Sequence, residues 1–149
     1  MHATIPPGAT TFDVADRLAI VNLLHSYGWL LDGFRMDDYF ALFTASPTIE
    51  VWSTTSRLFE GWQTFRQTAA SRREHFRQIG VQRRHVLAAP RFDTQGIDHA
   101  AGQVYMQMYK TQQNLITLVA VGYYEFAVVK QGGEWKIDRW IIHMDTTAD

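Results

Sequence analysis

The chain of 149 residues contains no cysteine and only four prolines. The absence of cysteine excludes disulfides, a thiolate nucleophile and any cysteine-ligated zinc or iron–sulfur site. No apolar run approaches the roughly 20 residues of a membrane span, and the N-terminus lacks the basic start and apolar stretch of a signal peptide. We therefore expect a cytoplasmic protein that does not associate with a membrane.

An excess of charge of one sign is also lacking, since the formal net charge is −1. Non-specific binding to the phosphate backbone of a nucleic acid needs an excess of positive charge, which this chain lacks. Nucleic acid is therefore not expected as a partner. Neither the P-loop nor the dinucleotide-binding glycine signature occurs, and no cofactor is predicted. The local run of arginines is interpreted as a solvated helix face without a function. These arginines are Arg66, Arg72, Arg73, Arg77, Arg83 and Arg84.

The first half of the chain has the spacing of apolar residues that is typical of helices. A flexible arm over residues 1–11 is expected to precede a single domain over residues 12–149. A long helix is predicted from a cap near residue 13 to the glycine at 33, followed by a short helix over 36–43. A third helix is predicted over 61–80.

The second half is rich in β-branched and aromatic residues, which favour strands. Three long runs follow Gly80, and the second, over 101–131, is too long for one strand. A break at 111–114 gives four antiparallel strands, and a small strand pair is predicted over 48–61. Helices followed by strands indicate an α+β fold in which helices pack on one face of a curved sheet.

Three segments that span most of the chain carry a resemblance to a known family. In chain order they are RLAIVNLLHSYGWLLDGFRMDDYFALF, RRHVLAAPRF and FAVVKQGGEWKIDRW. Together they resemble the SnoaL-like branch of the nuclear-transport-factor-2-like superfamily, within it the scytalone dehydratase and hexachlorocyclohexane dehydrochlorinase group. The resemblance implies a cone-shaped α+β barrel in which three helices pack in a strongly curved mixed or antiparallel sheet around a deep apolar cavity. This scaffold hosts many activities, so the cavity residues must indicate the function.

In the resembled group an aspartate at the end of the first helix and a histidine on the first long strand form a catalytic pair. Asp32 in LLDGF and His85 in RRHVL occupy those positions, which implies that His85 removes a proton from carbon while Asp32 orients it. An aspartate in a last helical turn also faces the negative end of the helix dipole and needs a compensating partner. The pairing is expected to raise the pKa of His85. On the residues alone, Asp32 could instead fold onto the Gly33 turn, and His85 could be a core histidine bonded to backbone.

The chain departs from scytalone dehydratase in the residues around this pair. Leu31 stands where a tyrosine would precede the aspartate, TIEVW contains no tyrosine, and QVYMQMY contains no histidine. Scytalone itself is therefore not an expected substrate. Tyr105 and Tyr124 are predicted to be catalytic hydroxyls that polarise a carbonyl or a leaving group, with simple packing as the alternative for each.

A further set of residues is predicted to contact the substrate in the cavity. It consists of Trp29, Trp52, Phe65, Gln107, Trp140 and His143. His25 lies two helical turns before Asp32 and could reach the cavity or pack within the helix layer. No local ligand spacing supports a metal held by His85, His143 and Asp32, so no metal is predicted.

These residues together indicate a cofactor-free lyase or isomerase with a small, mostly apolar substrate of a cyclic, aromatic, polyketide-like or terpenoid kind. Two alternatives stay open. The chain could be a non-catalytic subunit resembling the β subunit of ring-hydroxylating dioxygenases, or a small-ligand-binding protein without turnover. A homodimer or homotrimer is expected, because the outer sheet faces of the resembled superfamily usually pair.

Overall fold

The computed structural model describes residues 4–54 and 56–146. It contains three helices and one sheet of six strands. The helices are α1 Val14–Asp32, α2 Met36–Phe40 and α3 Trp62–Gln78. The strands are β1 Phe43–Trp52, β2 Arg57–Glu60, β3 Gln82–Gln95, β4 His99–Gln112, β5 Leu115–Gln131 and β6 Glu134–Met144. The predicted α+β class, with helices packed against a curved mixed sheet, is confirmed.

Helix α1 begins and ends where the capping residues predict. The Asp13 carboxylate accepts a hydrogen bond from the Asp16 backbone N–H at 2.7 Å, which satisfies a free donor of the first turn. At the other end the Gly33 N–H bonds to carbonyls of the last turn. The buried residues Ile20, Leu24, Tyr27 and Leu31 recur at intervals of three or four, so one face of α1 packs against the sheet.

The sheet has the strand order β2-β1-β6-β5-β4-β3. Strands β1 and β6 are parallel, and every other neighbouring pair is antiparallel. Strands β2 and β3 are the two edges and do not pair with each other, so the sheet curves without closing into a barrel. Helix α1 packs against β3, which brings the end of the helix beside the start of that strand.

The structure differs from the sequence-based expectation at the second helix. This helix ends at Phe40, and the strand begins at Phe43, five residues before the predicted start of the strand pair at 48. Phe43 is buried and pairs with Ile137, so an apolar residue assigned to the helix belongs to the sheet. A short apolar run has no periodicity that separates helix from strand.

The start of the described chain lies along β3. Thr4 pairs with Thr94, and the Ile5 N–H donates to the Asp93 carbonyl at 2.7 Å. The predicted arm over 1–11 therefore touches the sheet in the part that is described, while residues 1–3 lie outside the described residues. Within the described ranges, no helix has the length and apolar character needed to cross a membrane.

Candidate active site

Asp32 and His85 meet at the end of α1. The Asp32 Oδ1 atom lies 2.7 Å from Nδ1 of His85, and its Oδ2 atom accepts a hydrogen bond from the His85 backbone N–H. The two side chains are only 5% and 6% exposed, respectively. A carboxylate can only accept hydrogen bonds, so the proton of a neutral His85 ring resides on Nδ1 and Nε2 carries the lone pair.

The ring of His85 lines a cavity of about 100 Å³ between the helices and the inner face of the sheet. Its Nε2 atom makes no hydrogen bond within residues 4–54 and 56–146, although Nδ1 is fully engaged. The free lone pair is therefore available to a molecule in the cavity. This is the arrangement that a general base requires.

Gly28 explains how the helix comes close enough to the strand for this contact. It lies one turn before Asp32, and a Cβ atom placed there would be 2.7 Å from the His85 carbonyl oxygen. Only a residue without a side chain lets α1 approach β3 at this point. Sequence reasoning missed Gly28, although a glycine inside a strongly helical pattern is a signal of close packing.

Burial keeps the His85 imidazole neutral. The pKa of His85 is lowered from its ordinary value, mainly because burial penalises the charged ring. The Asp32 carboxylate opposes this by favouring the imidazolium, as the sequence predicts, whereas the cations Arg73 and Arg83 add to the lowering. The net direction is opposite to the expected increase, and a neutral ring at neutral pH is the form that accepts a proton.

Three tyrosines line the cavity beside His85. The ring centroid of Tyr27 lies 6.1 Å from that of His85, 5.4 Å from that of Tyr124 and 5.1 Å from that of Tyr39. Burial raises the pKa of each of these phenols, so their hydroxyls stay protonated and can donate hydrogen bonds. The Tyr39 hydroxyl is buried and has no hydrogen-bond partner among the described residues.

Only Tyr124 of these three tyrosines was predicted to be in the site. Tyr27 is the tyrosine of α1 that reaches the cavity, one turn before Leu31, which also lines it. The spacing of apolar residues indicates that Tyr27 is a core residue of the helix, and its side chain is indeed buried, with 2% exposure. A core position and a cavity position have the same spacing, so periodicity does not separate them.

Two arginines of the supposedly solvated run are buried in the cavity wall. Arg73 is 6% exposed and Arg83 is 5% exposed, and both line the cavity. The interpretation of the whole run as a solvated face is therefore wrong at these two positions. Arg73 lies eight residues after buried Phe65 on one face of α3, and Arg83 lies two before His85 on one face of β3.

Four predicted residues lie on the outer face of the sheet, not in the cavity. Tyr105 is 66% exposed, and Gln107 follows it on the same face, while Met106 and Met108 point inward. Trp52 and His143 are neighbours in adjacent strands on that outer face. The prediction that these side chains contact a substrate in the cavity is contradicted, because side chains alternate between the two faces of a strand. The four residues are Trp52, Tyr105, Gln107 and His143.

The other predicted contacts have mixed outcomes. Phe65 lines the cavity. Trp140 is fully buried and packs against Tyr27 with a centroid distance of 4.8 Å, so it supports the cavity wall from behind. Trp29 is 82% exposed. With His25 it lines a second pocket, between α1 and β3, which Asp32 and His85 also line, and neither Trp29 nor His25 lines the cavity that contains the tyrosines. In the described part of the chain, no group of three potential histidine or carboxylate metal ligands occurs.

Comparisons with known proteins agree with this architecture. A family model described as a SnoaL-like domain matches residues 13–141. No curated protein matches the chain.

Solved structures with the same fold include proteins of different kinds. A protein of unknown function from Mycobacterium tuberculosis is 19% identical with a TM-score of 0.72, and the match covers 88% of this chain and 72% of that one. A candidate scytalone dehydratase from Novosphingobium aromaticivorans is 18% identical, with a TM-score of 0.68 and coverage of 88% and 85%. The β subunit of a benzoate 1,2-dioxygenase from Burkholderia mallei is 16% identical, with a TM-score of 0.72 and coverage of 91% and 93%. At these identities the likeness concerns the fold alone.

Proposed function

Because the chain belongs to the SnoaL-like domain family, we propose that it is a cofactor-free lyase or isomerase with His85 as its general base. The observation that supports this proposal most directly is the buried contact of 2.7 Å between Asp32 Oδ1 and His85 Nδ1, beside a cavity that His85 lines. A carboxylate on one ring nitrogen and an unoccupied lone pair on the other suit proton removal from a bound molecule.

The proposed reaction starts at a carbon next to a carbonyl group. His85 Nε2 takes the proton, and the electron pair of the C–H bond moves toward the carbonyl to form an enolate. The Asp32 carboxylate stabilises the imidazolium that results. In an elimination, hydroxide leaves from the neighbouring carbon as the double bond forms, and the imidazolium proton converts it to water. In an isomerisation, the same proton returns to a different carbon.

The proposed role of the tyrosines is to stabilise the negative charge that develops on the enolate oxygen. Tyr124 and Tyr27 are neutral phenols on the cavity wall, and a hydroxyl from either could donate to the enolate oxygen. A donor that is already oriented stabilises this charge without reorganisation, which is the largest contribution in many enzymes of this kind.

The cavity favours a small, mostly apolar substrate. Its volume of about 100 Å³ is somewhat less than that of an engineered cavity of roughly 150 Å³ which holds benzene. Leu31, Val51 and Met106 are among its lining residues. A cavity of this size limits the proposed substrate to no more than a single ring, cyclic or aromatic, of a polyketide-like or terpenoid kind.

Exchange of deuterium from solvent into ketones tests the proposal. We expect the wild type to exchange the acidic protons of at least one cyclic ketone in a panel, and His85→Gln to lose that exchange. His143→Gln serves as the control, since this histidine lies on the outer face. Equal exchange by the wild type and His85→Gln would reject His85 as the base.

The fold likeness to the benzoate dioxygenase β subunit favours a second candidate, a non-catalytic subunit that assembles with a partner. Such a subunit needs no hydrogen-bonded pair beside a cavity, which is why we prefer the enzyme. Sedimentation analysis tests the expected homodimer or homotrimer. A trimer in which neither the wild type nor His85→Gln exchanges any ketone would favour the subunit.

A further inference from the structure

We infer that the substrate carries a carboxylate, and that Arg73 and Arg83 bind it inside the cavity. The inference rests on the proposed function in one respect: it names the substrate class of that same cavity. The binding of a carboxylate can nevertheless be measured without any turnover.

The two guanidinium groups belong to the cavity wall and not to the surface. Arg73 comes from α3 and Arg83 from β3, and each residue is at most 6% exposed. Arginine is almost never buried to this extent unless it is paired with an anion. A partner for each should therefore be found in the protein or in its ligand.

The protein provides acceptors for only some of the N–H groups of these two guanidinium groups. The carboxylate that faces these arginines is Asp32, whose Oδ1 lies 4.0 Å from Arg73 Nη1, but both of its oxygens already accept hydrogen bonds from His85. Arg83 has a contact of 3.3 Å between Nη1 and the sulfur of Met108, which is a weak acceptor. The Nε atoms of Arg73 and Arg83 have no partner among the described residues.

Aromatic packing does not replace the missing anion. The Arg83 guanidinium lies 4.2 Å from the ring centroid of Phe76, and that of Arg73 lies 5.1 Å from the same ring. Two cations thus share one ring, while several of their N–H groups still lack an acceptor. Guanidinium N–H groups arranged as a fork match the two oxygens of a carboxylate.

The charge balance selects a monoanion. Three arginines line the cavity, and Arg72 is exposed to solvent whereas Arg73 and Arg83 are buried. The two buried arginines and the Asp32 carboxylate leave an excess of one buried positive charge while His85 is neutral, and a carboxylate removes that excess. The small size of the cavity also favours a compact acid.

The location of the arginines connects this anion to the base. Arg73 approaches the same Asp32 oxygen that holds His85 Nδ1. A substrate anchored by its carboxylate at Arg73 and Arg83 would therefore lie beside the catalytic pair. The class that we infer is a small cyclic or aromatic carboxylic acid, or its unsaturated or hydroxylated relative.

Calorimetric titration with benzoate and benzamide tests the inference, because the two probes share a ring and differ in charge. We expect the wild type to bind benzoate at least about tenfold more tightly than benzamide, and Arg83→Met to weaken benzoate binding by about tenfold to a hundredfold. The affinity for benzamide should change little. Arg84→Met is the matched control, since Arg84 is the next residue of β3 and is exposed on its opposite face.

Three results would overturn the inference. These are equal wild-type affinities for benzoate and benzamide, an equal loss for both probes in Arg83→Met, or an equal effect of Arg84→Met on benzoate. The comparison of the two probes with the wild type remains decisive if a variant fails to fold. His85→Gln should keep the preference for benzoate while it loses exchange, so failure of the base and failure of the anion site give different results.

Discussion

One histidine–carboxylate pair lies against the inner face of the sheet and another lies on its outer face, and they differ in almost every property that matters for catalysis. On the inner face His85 Nδ1 lies 2.7 Å from Asp32, and both side chains are nearly inaccessible. On the outer face His143 Nε2 lies 3.3 Å from Glu125 Oε2, and these side chains are 29% and 34% exposed. The residue types are alike, so the environment must make the difference.

Two features separate the inner pair from the outer pair. Asp32 accepts two hydrogen bonds from His85, whereas the close approach of Glu125 to His143 lacks hydrogen-bonding geometry. The outer ring is also covered by Tyr123, which stacks on it with centroids 4.6 Å apart. A histidine and a carboxylate thus form a candidate base only where the contact is oriented and a cavity adjoins it.

The largest expected effect comes from removing the inner histidine. His85→Gln should lower kcat for the substrate by up to about 10⁴-fold, since a positioned general base contributes roughly 10²–10⁴-fold. His143→Gln should leave kcat within about twofold, because surface changes rarely disturb the structure. Steady-state kinetics of both variants measure this contrast. Comparable losses in the two variants would remove the distinction between the pairs.

Removing the carboxylate should have the next largest effect. Asp32→Asn keeps the size of the side chain but removes the charge that stabilises the imidazolium, so kcat should fall by about 10²–10³-fold. Glu125→Gln on the outer face is the matched control and should leave kcat unchanged. The proposed role of Asp32 would be contradicted if the two substitutions had the same small effect.

Gly28→Ala tests whether the close approach of α1 to β3 is needed for the contact between Asp32 and His85. The added methyl group would meet the His85 carbonyl at 2.7 Å and must displace the helix or the strand. A displacement on the order of 1 Å can cost about 10²-fold in kcat. Trp29→Ala, at the exposed next position, should have little effect on kcat. A Gly28→Ala enzyme of normal activity and higher stability would show that the close approach is unnecessary.

The pH dependence of the inner pair should be visible in kcat/KM. Because the pKa of His85 is lowered, the base stays neutral down to a pH below the ordinary histidine value of about 6.5. We expect kcat/KM to be constant near neutral pH and to fall about tenfold per pH unit only below that value. His143→Gln should have the same profile. An acidic limb centred above pH 7 would contradict a buried neutral base.

Much of the fold could be predicted from sequence, because helix spacing, caps and glycine stops are local signals. The limits of α1 follow from Asp13 and Gly33, and the break after β4 occurs within the predicted 111–114 segment. The contact between Asp32 and His85 joins residues that are 53 positions apart, so no local pattern contains it. It was inferred from a resemblance and not from spacing.

The faces of the strands were harder to predict because both carry bulky residues. Tyr105 and Met106 are adjacent in β4, and the side chain that points inward is the methionine. The buried arginines were missed for a related reason, since a charged residue is expected at the surface. Arg83 shares its strand face with His85 at a spacing of two, and this period is the signal that identifies it.

The smallest expected effect concerns stability and compares arginines on the two faces. Burial lowers the pKa of Arg83 to about 10, so its charge is held in the inner wall at an energetic cost. Arg83→Met should raise the free energy of unfolding by about 1 kcal/mol, since an apolar side chain replaces a buried cation without a full partner. Arg139→Met on the outer face, where the side chain is 50% exposed, should change it by no more than about 0.5 kcal/mol.

Urea denaturation measures both values. A clear loss of stability in Arg83→Met would mean that contacts with Met108 and Phe76 already compensate the charge, and the need for an external anion would disappear. A gain would mean that the fold tolerates Arg83 at a cost, as proteins do for residues that are kept for binding rather than for stability. In that case benzoate should stabilise the wild type and not Arg83→Met, because a ligand that binds only the folded state adds its binding free energy to folding.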